Sequence, residues 1–439
     1  MLRGKGEQVS LRPLHFTVVL ICLLINILDG FDLMSIAFTA TRIMGEWQLG
    51  PRVMGLIFGS GLAGMGLGSL LLASLADRFG RRPSILGGLI LVTIGMLPVG
   101  FANGPSELTL LRLVTGLGIG LLLPSINSMV AEYAPRRWRS LAISLYLMGY
   151  PLGALLSSVL AAFLIARSDW RTVYIVGGSA SLALIPVVLA FLPESLEFLV
   201  TLQPNDRARR RIRKISNRLG LPVPPEPQQA LPVSVRASPW SPFAGGYASR
   251  TVSIAAGFLL SWFTQFFITN WLPTIVTRET TANGGSYAGM LLTSGGLIGT
   301  IGFGLLATQF DTTRLCVAYL AGSLVAAVVF ACATLTAPIL WVLSGLLGLL
   351  LYGGTVGLYS LAAQIFPLEV RAAGTGLALA TGRAGAVLGL SCGGWLIGTG
   401  MPRAAYGTLL ALPMLVAVPV VWSLRPGSVT RLSRFRHFG

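Results

Sequence analysis

Two carboxylates, Asp29 and Asp32, stand inside a run, 16–40, that is otherwise apolar and long enough to cross a bilayer. An ionisable group at that depth costs about 3 kcal/mol or more, so it signals function before structure. Three residues apart, the pair lies about 60° apart around a helix, on one side of it. Gly30 between them leaves room for a helix or a ligand to approach. Burial disfavours a carboxylate and a nearby arginine favours it. That opposition suits a proton carrier, and Asp32 is placed slightly ahead of Asp29. Two cations also lie within apolar runs, Arg112 near one end of 106–130 and Arg383 deep in 372–397. Arg112 needs a carboxylate or carbonyl partner, or else snorkels to the interface. Arg383, in a segment carrying Gly382, Gly385, Gly389 and Gly393, suits either anion binding or a buried pair with an aspartate. An aromatic ligand would want aromatic walls. Trp262, Phe263, Phe266, Phe267 and Trp271 cluster in one run, with Gln265 and Asn270 beside them and Tyr359 and Phe31 elsewhere. The plainer reading is that these rings anchor the helix in lipid. Asn270 is the more telling, because a buried amide needs a partner.

The elements that position these groups follow from composition. Of 439 residues 54% are hydrophobic and only 11% charged, where a soluble protein has about a quarter charged. Twelve apolar runs of about 20 residues each suffice to span a membrane. They are 16–40, 53–76, 84–102, 106–130, 140–164, 172–192, 251–276, 287–307, 315–335, 339–360, 372–397 and 404–423. The net charge of +17 is not a nucleic-acid footprint, because 24 of the 32 lysines and arginines fall on segments of one side. The positive-inside rule then puts both termini in the cytoplasm of an inner, plasma-membrane protein. No cleavable signal peptide is expected. Four unpaired-looking cysteines and two near-terminal histidines argue against a disulfide framework or a metal centre.

The only long hydrophilic stretch, 193–250, separates an N-terminal six-helix half, 1–192, from a C-terminal half with its basic tail, 251–439. Two such halves suggest a transporter built from repeats, with its site between them. Within the stretch, 207–219 reads as a short basic helix attracted to anionic lipid, with nucleic acid as the lesser alternative. The seven prolines of 221–242 read as an extended linker.

The loop after the second run reads Ala73-Ser74-Leu75-Ala76-Asp77-Arg78-Phe79-Gly80-Arg81-Arg82. It resembles the signature loop of the major facilitator superfamily, Gly-x-Leu-x-Asp-Arg-x-Gly-Arg-Arg, with Ala73 for the leading glycine. Physically this is a latch between helices: Asp77 accepts from an arginine or from amides at a helix N-terminus, and Gly80 permits the turn. Arg112-Leu113-Val114-Thr115-Gly116 resembles the superfamily's Arg-x-x-x-Gly element, which implies a part for Arg112 in proton coupling. More narrowly, Asp29-Gly-Phe-Asp32, Ala131-Glu132-Tyr133 with Pro135, Pro193-Glu194-Ser195, and Trp271-Leu272-Pro273-Thr274 look like the aromatic acid/proton symporter family. So do Phe366-Pro367 and Gly382-Arg383-x-Gly385-Ala386. The second-half counterpart of the signature loop departs from the pattern: Thr308 and Gln309 stand where Asp-Arg is expected, although Asp311 and Arg314 remain.

The expectation is an all-α membrane protein of twelve helices that imports a benzoate-type carboxylate by proton symport with alternating access. Proton coupling falls to Asp29, Asp32 and Arg112. Substrate binding falls to Arg383, Asn270, Phe266, Trp262 and Tyr359. The conformational latch is Asp77, Arg78, Gly80, Arg81, Arg82 and Glu132. The expected partners are a small aromatic carboxylate, protons and the bilayer; the chain is expected to act as a monomer, with no nucleic acid, cofactor or metal and no enzymatic activity. The rivals are a carrier for another organic anion or a sugar-like solute, and an efflux antiporter. The antiporter's fifth-span signature is only partly met by Gly149-Tyr150-Pro151-Leu152-Gly153.

Overall fold

A computed structural model describes residues 12–72, 76, 78–135, 138–167, 169–201, 210, 212–213, 215–217, 243, 247–280, 284–332, 336–366 and 368–424. Its long helices are α1 (Pro13–Glu46), α2 (Pro51–Leu72), α3 (Arg81–Phe101), α4 (Pro105–Tyr133), α5 (Leu145–Leu164), α6 (Arg171–Phe191), α7 (Ala248–Glu279), α8 (Gly284–Leu306), α9 (Thr312–Cys332), α10 (Ala337–Ala362), α11 (Leu368–Ile397) and α12 (Arg403–Trp422). Eleven are long and apolar enough to cross a membrane, and α11, at 30 residues, completes the set. No strand occurs among the described residues. A bundle of helices meets the demand of lipid, since each helix satisfies its own backbone groups.

The helices outrun the apolar runs that announce them. α1 continues past Ala40 through Thr41, Arg42 and Glu46, so Arg42 lies on the helix and not in a loop. Hydropathy marks the hydrocarbon, whereas a helix runs on until a breaker stops it. Here the breakers are Gln48, with φ at 52°, then Gly50-Pro51. Between the sixth and seventh long helices, a short helix at Leu196–Thr201 was not signalled by hydropathy. The basic segment is helical at 210, 212–213 and 215–217; the rest of it, and the proline-rich 221–242, lie outside the described residues.

Contacts group the chain into two compact units: 1–33, 64–154 and 171–236 in the first; 34–63, 155–170 and 237–439 in the second. In the first unit α4 is held by small residues. Side chains added at Gly64 and Gly68 of α2 would overlap the carbonyls of Leu113 and Leu117, and Gly88 and Gly118 bring α3 and α4 together. Gly30 of α1 lies against the Tyr150 carbonyl, and Gly153 of α5 against that of Ile27. In the second unit Gly385 and Gly389 of α11 press on the carbonyls of Leu259 and Phe263 of α7, and Gly295 and Gly299 of α8 on those of Gly345 and Leu349 of α10. First with fifth and second with fourth thus recur as seventh with eleventh and eighth with tenth. Close backbone approach of this kind substitutes for a hydrophobic driving force that lipid does not provide.

Candidate functional site

The first unit carries a buried ion pair. Nη1 of Arg112 on α4 donates to Oδ1 of Asp32 on α1 at 2.6 Å, and each side chain is only 2% exposed. Of the two fates open to Arg112, pairing and snorkelling, the structure has pairing. Asp29, one turn back, is buried too and lines a small apolar cavity with Ile25, Leu28, Val92, Ile119 and Leu122. Asn26 of the same helix donates to the carbonyl of Tyr146 at 2.8 Å. Phe31, between the aspartates, faces Gly177 of α6 and so packs toward that helix.

The second unit holds an aromatic cluster on α7 and α10. Trp262 lies 5.6 Å from Phe266 and from Phe258, and Tyr359 lies 5.4 Å from Phe258 and 6.4 Å from Trp262, measured between ring centroids. Gly382 of α11 sits beneath the Trp262 indole, which brings the backbone of half-buried Arg383 to this end of the cluster. Asn270 is buried, and its Nδ2 donates to the Phe266 carbonyl one turn back at 3.0 Å. The partner it needs is therefore its own helix. Trp271 is wholly buried: it stacks edge-on to Phe58 at 5.0 Å and donates to the Leu390 carbonyl.

The signature loop is described in part: Asp77 lies outside the described residues. Gly80 has φ of 109°, the left-handed region that glycine adopts without strain, and it offers no side chain to cap α3. Glu194 does that instead. Its Oε1 accepts from the backbone N–H groups of Arg81 at 2.9 Å and Arg82 at 3.1 Å, and from that of Ser195 at 2.9 Å. Ser195 in turn donates to the Glu132 carboxylate, and Tyr133 donates to the Glu194 carbonyl at 2.6 Å. Arg82 donates to the Leu189 carbonyl, Arg81 lies over the Phe198 ring at 5.8 Å, and Arg78 over Phe79 at 5.5 Å. Sequence reading gave the capping chemistry to Asp77 and left Glu194 as a family resemblance. The signal for Glu194 was its place in Pro193-Glu194-Ser195, but nothing local says that a residue over a hundred positions away caps α3. In the second unit the divergent loop solves the same problem at home: Asp311 accepts from the backbone of Arg314 at 2.9 Å, at the start of α9. Among the described residues no group of His, Cys, Asp and Glu could hold a metal ion.

Twelve long helices, several pairs of them in close contact through glycine, with an ion pair buried within the first unit, define a multi-spanning membrane protein. The chain belongs to the major facilitator superfamily, whose family model matches residues 22–361. Among curated relatives it is 30% identical over 428 residues to the gallate transporter of Pseudomonas putida, covering 94% of this chain and 92% of that one. It is likewise 30% identical over 421 residues to the 4-hydroxybenzoate transporter PcaK of Pseudomonas putida, with the same shares. Among solved structures it is similar to the partially occluded, inward-open xylose transporter XylE from E. coli, with a TM-score of 0.72 at 20% identity, covering 94% of this chain and 98% of that one. At that identity the likeness concerns the fold.

Proposed function

We propose that this transporter imports an aromatic carboxylic acid of the benzoate or hydroxybenzoate type by proton symport, through alternating access. The buried Asp32–Arg112 pair is the observation that carries the coupling. Neutralising one member of such a pair strands the other charge in a low-dielectric interior, a cost large enough to drive a change of state. A proton delivered to Asp32 releases Arg112; Asp29, one turn away, is the neighbouring carboxylate that takes part in the relay. The substrate class rests on the named relatives, which transport gallate and 4-hydroxybenzoate, and on the aromatic cluster beside Arg383. In this reading Arg383 receives the carboxylate, Trp262, Phe266 and Tyr359 receive the ring, and Asn270 keeps α7 in shape beside them. The loop carrying Asp77, Arg78, Gly80, Arg81 and Arg82, with Glu132, is the latch that holds one access state.

The organisation that goes with this is two six-helix halves, 1–192 and 251–439, joined by the cytoplasmic segment 193–250. The recurring helix pairs, first with fifth and seventh with eleventh, support it. Both termini face the cytoplasm across the inner membrane, in accord with the skewed lysines and arginines.

The test is uptake of labelled 4-hydroxybenzoate into cells expressing the protein, with and without a protonophore and against a panel of competing acids. Uptake that collapses with the protonophore and is competed by benzoates supports symport. Absence of uptake, with the protein present in the membrane, overturns the substrate class and turns the search to other organic anions or to export.

A further inference from the structure

On one face of α7 stand Trp262, Phe266 and Thr269, spaced i, i+4, i+7. The indole Nε1 of Trp262 and the Oγ1 of Thr269 have no hydrogen-bond partner among the described residues, although Trp262 is 9% exposed and Thr269 3%. Buried donors left unsatisfied are costly and rare, and each calls for an explanation. Here there are two on a single stripe, with a half-buried phenylalanine between them. Threonines at helical positions commonly satisfy themselves on the carbonyl one turn back, as Thr277 and Thr293 do in this chain. Thr269 does not. Ser261 also lacks a partner, but it lies about 100° around the helix from Trp262, off the stripe.

The stripe has the dimensions of a small substituted ring. Seven residues of helix rise about 10.5 Å. A para-hydroxylated benzoate spans roughly 6–7 Å between its terminal oxygens, and two hydrogen bonds of about 2.9 Å extend that to about 12 Å. The stripe is also polarised. Gly382 packs under Trp262, so the Arg383 end of α11 is level with Trp262. Farther along the same parallel pairing, Gly393 of α11 meets Phe267, so Thr269 lies away from the cation.

The geometry points to α7 as the element that reads the substrate's two ends: the Trp262 N–H and Arg383 take the carboxylate, Phe266 underlies the ring, and Thr269 recognises a hydroxyl para to the acid. This deepens the proposed function and rests on it. Discrimination follows from the general asymmetry of polar sites. A site built to bond a hydroxyl rejects the analogue that lacks it more strongly than an apolar site rejects one that has it.

The experiment is competition for uptake of labelled 4-hydroxybenzoate by the full chain in proteoliposomes, with unlabelled 4-hydroxybenzoate and benzoate as competitors. Thr269→Val keeps the shape and removes the hydroxyl. It is expected to lower apparent affinity for 4-hydroxybenzoate about tenfold and to leave benzoate within about twofold, while Thr269→Ser keeps the preference. Trp262→Phe is expected to weaken both acids by a similar factor, because both carry the carboxylate. If Thr269→Val weakens both acids alike, or neither, the assignment of Thr269 is overturned. If Trp262→Phe removes the preference for the hydroxylated acid alone, the orientation is overturned. Wild-type protein whose reconstituted uptake responds to no aromatic acid overturns the substrate class itself, and this inference with it.

Discussion

The guanidinium of Arg112 meets the carboxylate of Asp32 at 2.6 Å, joining α4 to α1 across 80 residues of sequence with 2% of either side chain exposed. A pair so dry is poor evidence for stability in itself, since the cost of desolvating two ions offsets most of their attraction. Its consequence lies in what happens when one member changes charge. Asp32→Asn mimics permanent protonation. Accumulation of substrate against a gradient is expected to disappear, whereas exchange of labelled for unlabelled substrate across the membrane persists. Proton-driven accumulation retained in the Asp32→Asn protein would remove Asp32 from the mechanism.

The same pair makes a statement about stability. Removing one partner leaves an uncompensated buried charge, so Arg112→Met and Asp32→Asn should each destabilise the protein, by about 3–5 kcal/mol for a fully stranded ion. The double substitution should cost less than the sum of the singles, because it strands nothing. Thermal unfolding in detergent of the four proteins gives the coupling directly. Additive losses would mean that the pair is not formed in the membrane protein.

Glu194 stands where an N-cap would otherwise be. Gly80 leaves the first amides of α3 without a side-chain partner, and Glu194 accepts from two of them. A carboxylate at a helix N-terminus is also favoured by the helix dipole. Glu194→Ala is expected to destabilise by about 1–2 kcal/mol, in the range of a lost cap. Asp311→Ala, at the start of α9, should cost about as much by the same physics. Glu194→Gln keeps an acceptor and should fall between. An unchanged melting temperature in Glu194→Ala would show that solvent serves those amides equally well.

What could be read ahead of the structure divides by range. The membrane class, the helices and the depth of Asp29, Asp32, Arg112 and Arg383 follow from hydropathy, because lipid imposes the same local rule on every span. The loop 73–82 was legible because a short motif is itself local. Partnership was not. Nothing near Arg112 says that its carboxylate is 80 residues away on α1, and nothing near Gly80 points to Glu194. For Asn270 the need for a partner was legible but its identity was not: its Nδ2 donates to the carbonyl four residues back. Thr269 gave no signal at all, since a threonine in an apolar helix normally bonds its own backbone.

The α1–α5 crossing depends on bare backbone. A methyl group on Gly30 would overlap the Tyr150 carbonyl, and one on Gly153 would overlap that of Ile27. Neither clash involves a side chain that could swing aside, so the helices must part. Gly30→Ala and Gly153→Ala are each expected to destabilise by about 1–3 kcal/mol, the usual cost of overpacking. Gly45→Ala, with nothing within 4 Å, is the matched control and should be neutral. A melting temperature of Gly30→Ala equal to that of the control would mean that α1 and α5 are farther apart in the membrane than in this structure.

Arg383 separates a ligand group from a structural one. It lies in mid-α11, one residue beyond the glycine that lies under Trp262. If it receives the substrate carboxylate, geometry matters as much as charge, because the guanidinium presents a planar fork that a lysine lacks. Arg383→Lys should therefore raise the half-saturating substrate concentration about tenfold with the melting temperature little changed, since the charge is kept. Arg383→Gln should remove binding of carboxylates while sparing the fold less, since any carboxylate that Arg383 neutralises inside the protein is then left exposed in a dry interior. A loss of stability in Arg383→Lys with unaltered half-saturation would assign Arg383 to holding α11 in place. Both quantities come from one purified preparation, by thermal unfolding and by substrate titration of uptake in proteoliposomes, so the two roles cannot be confused.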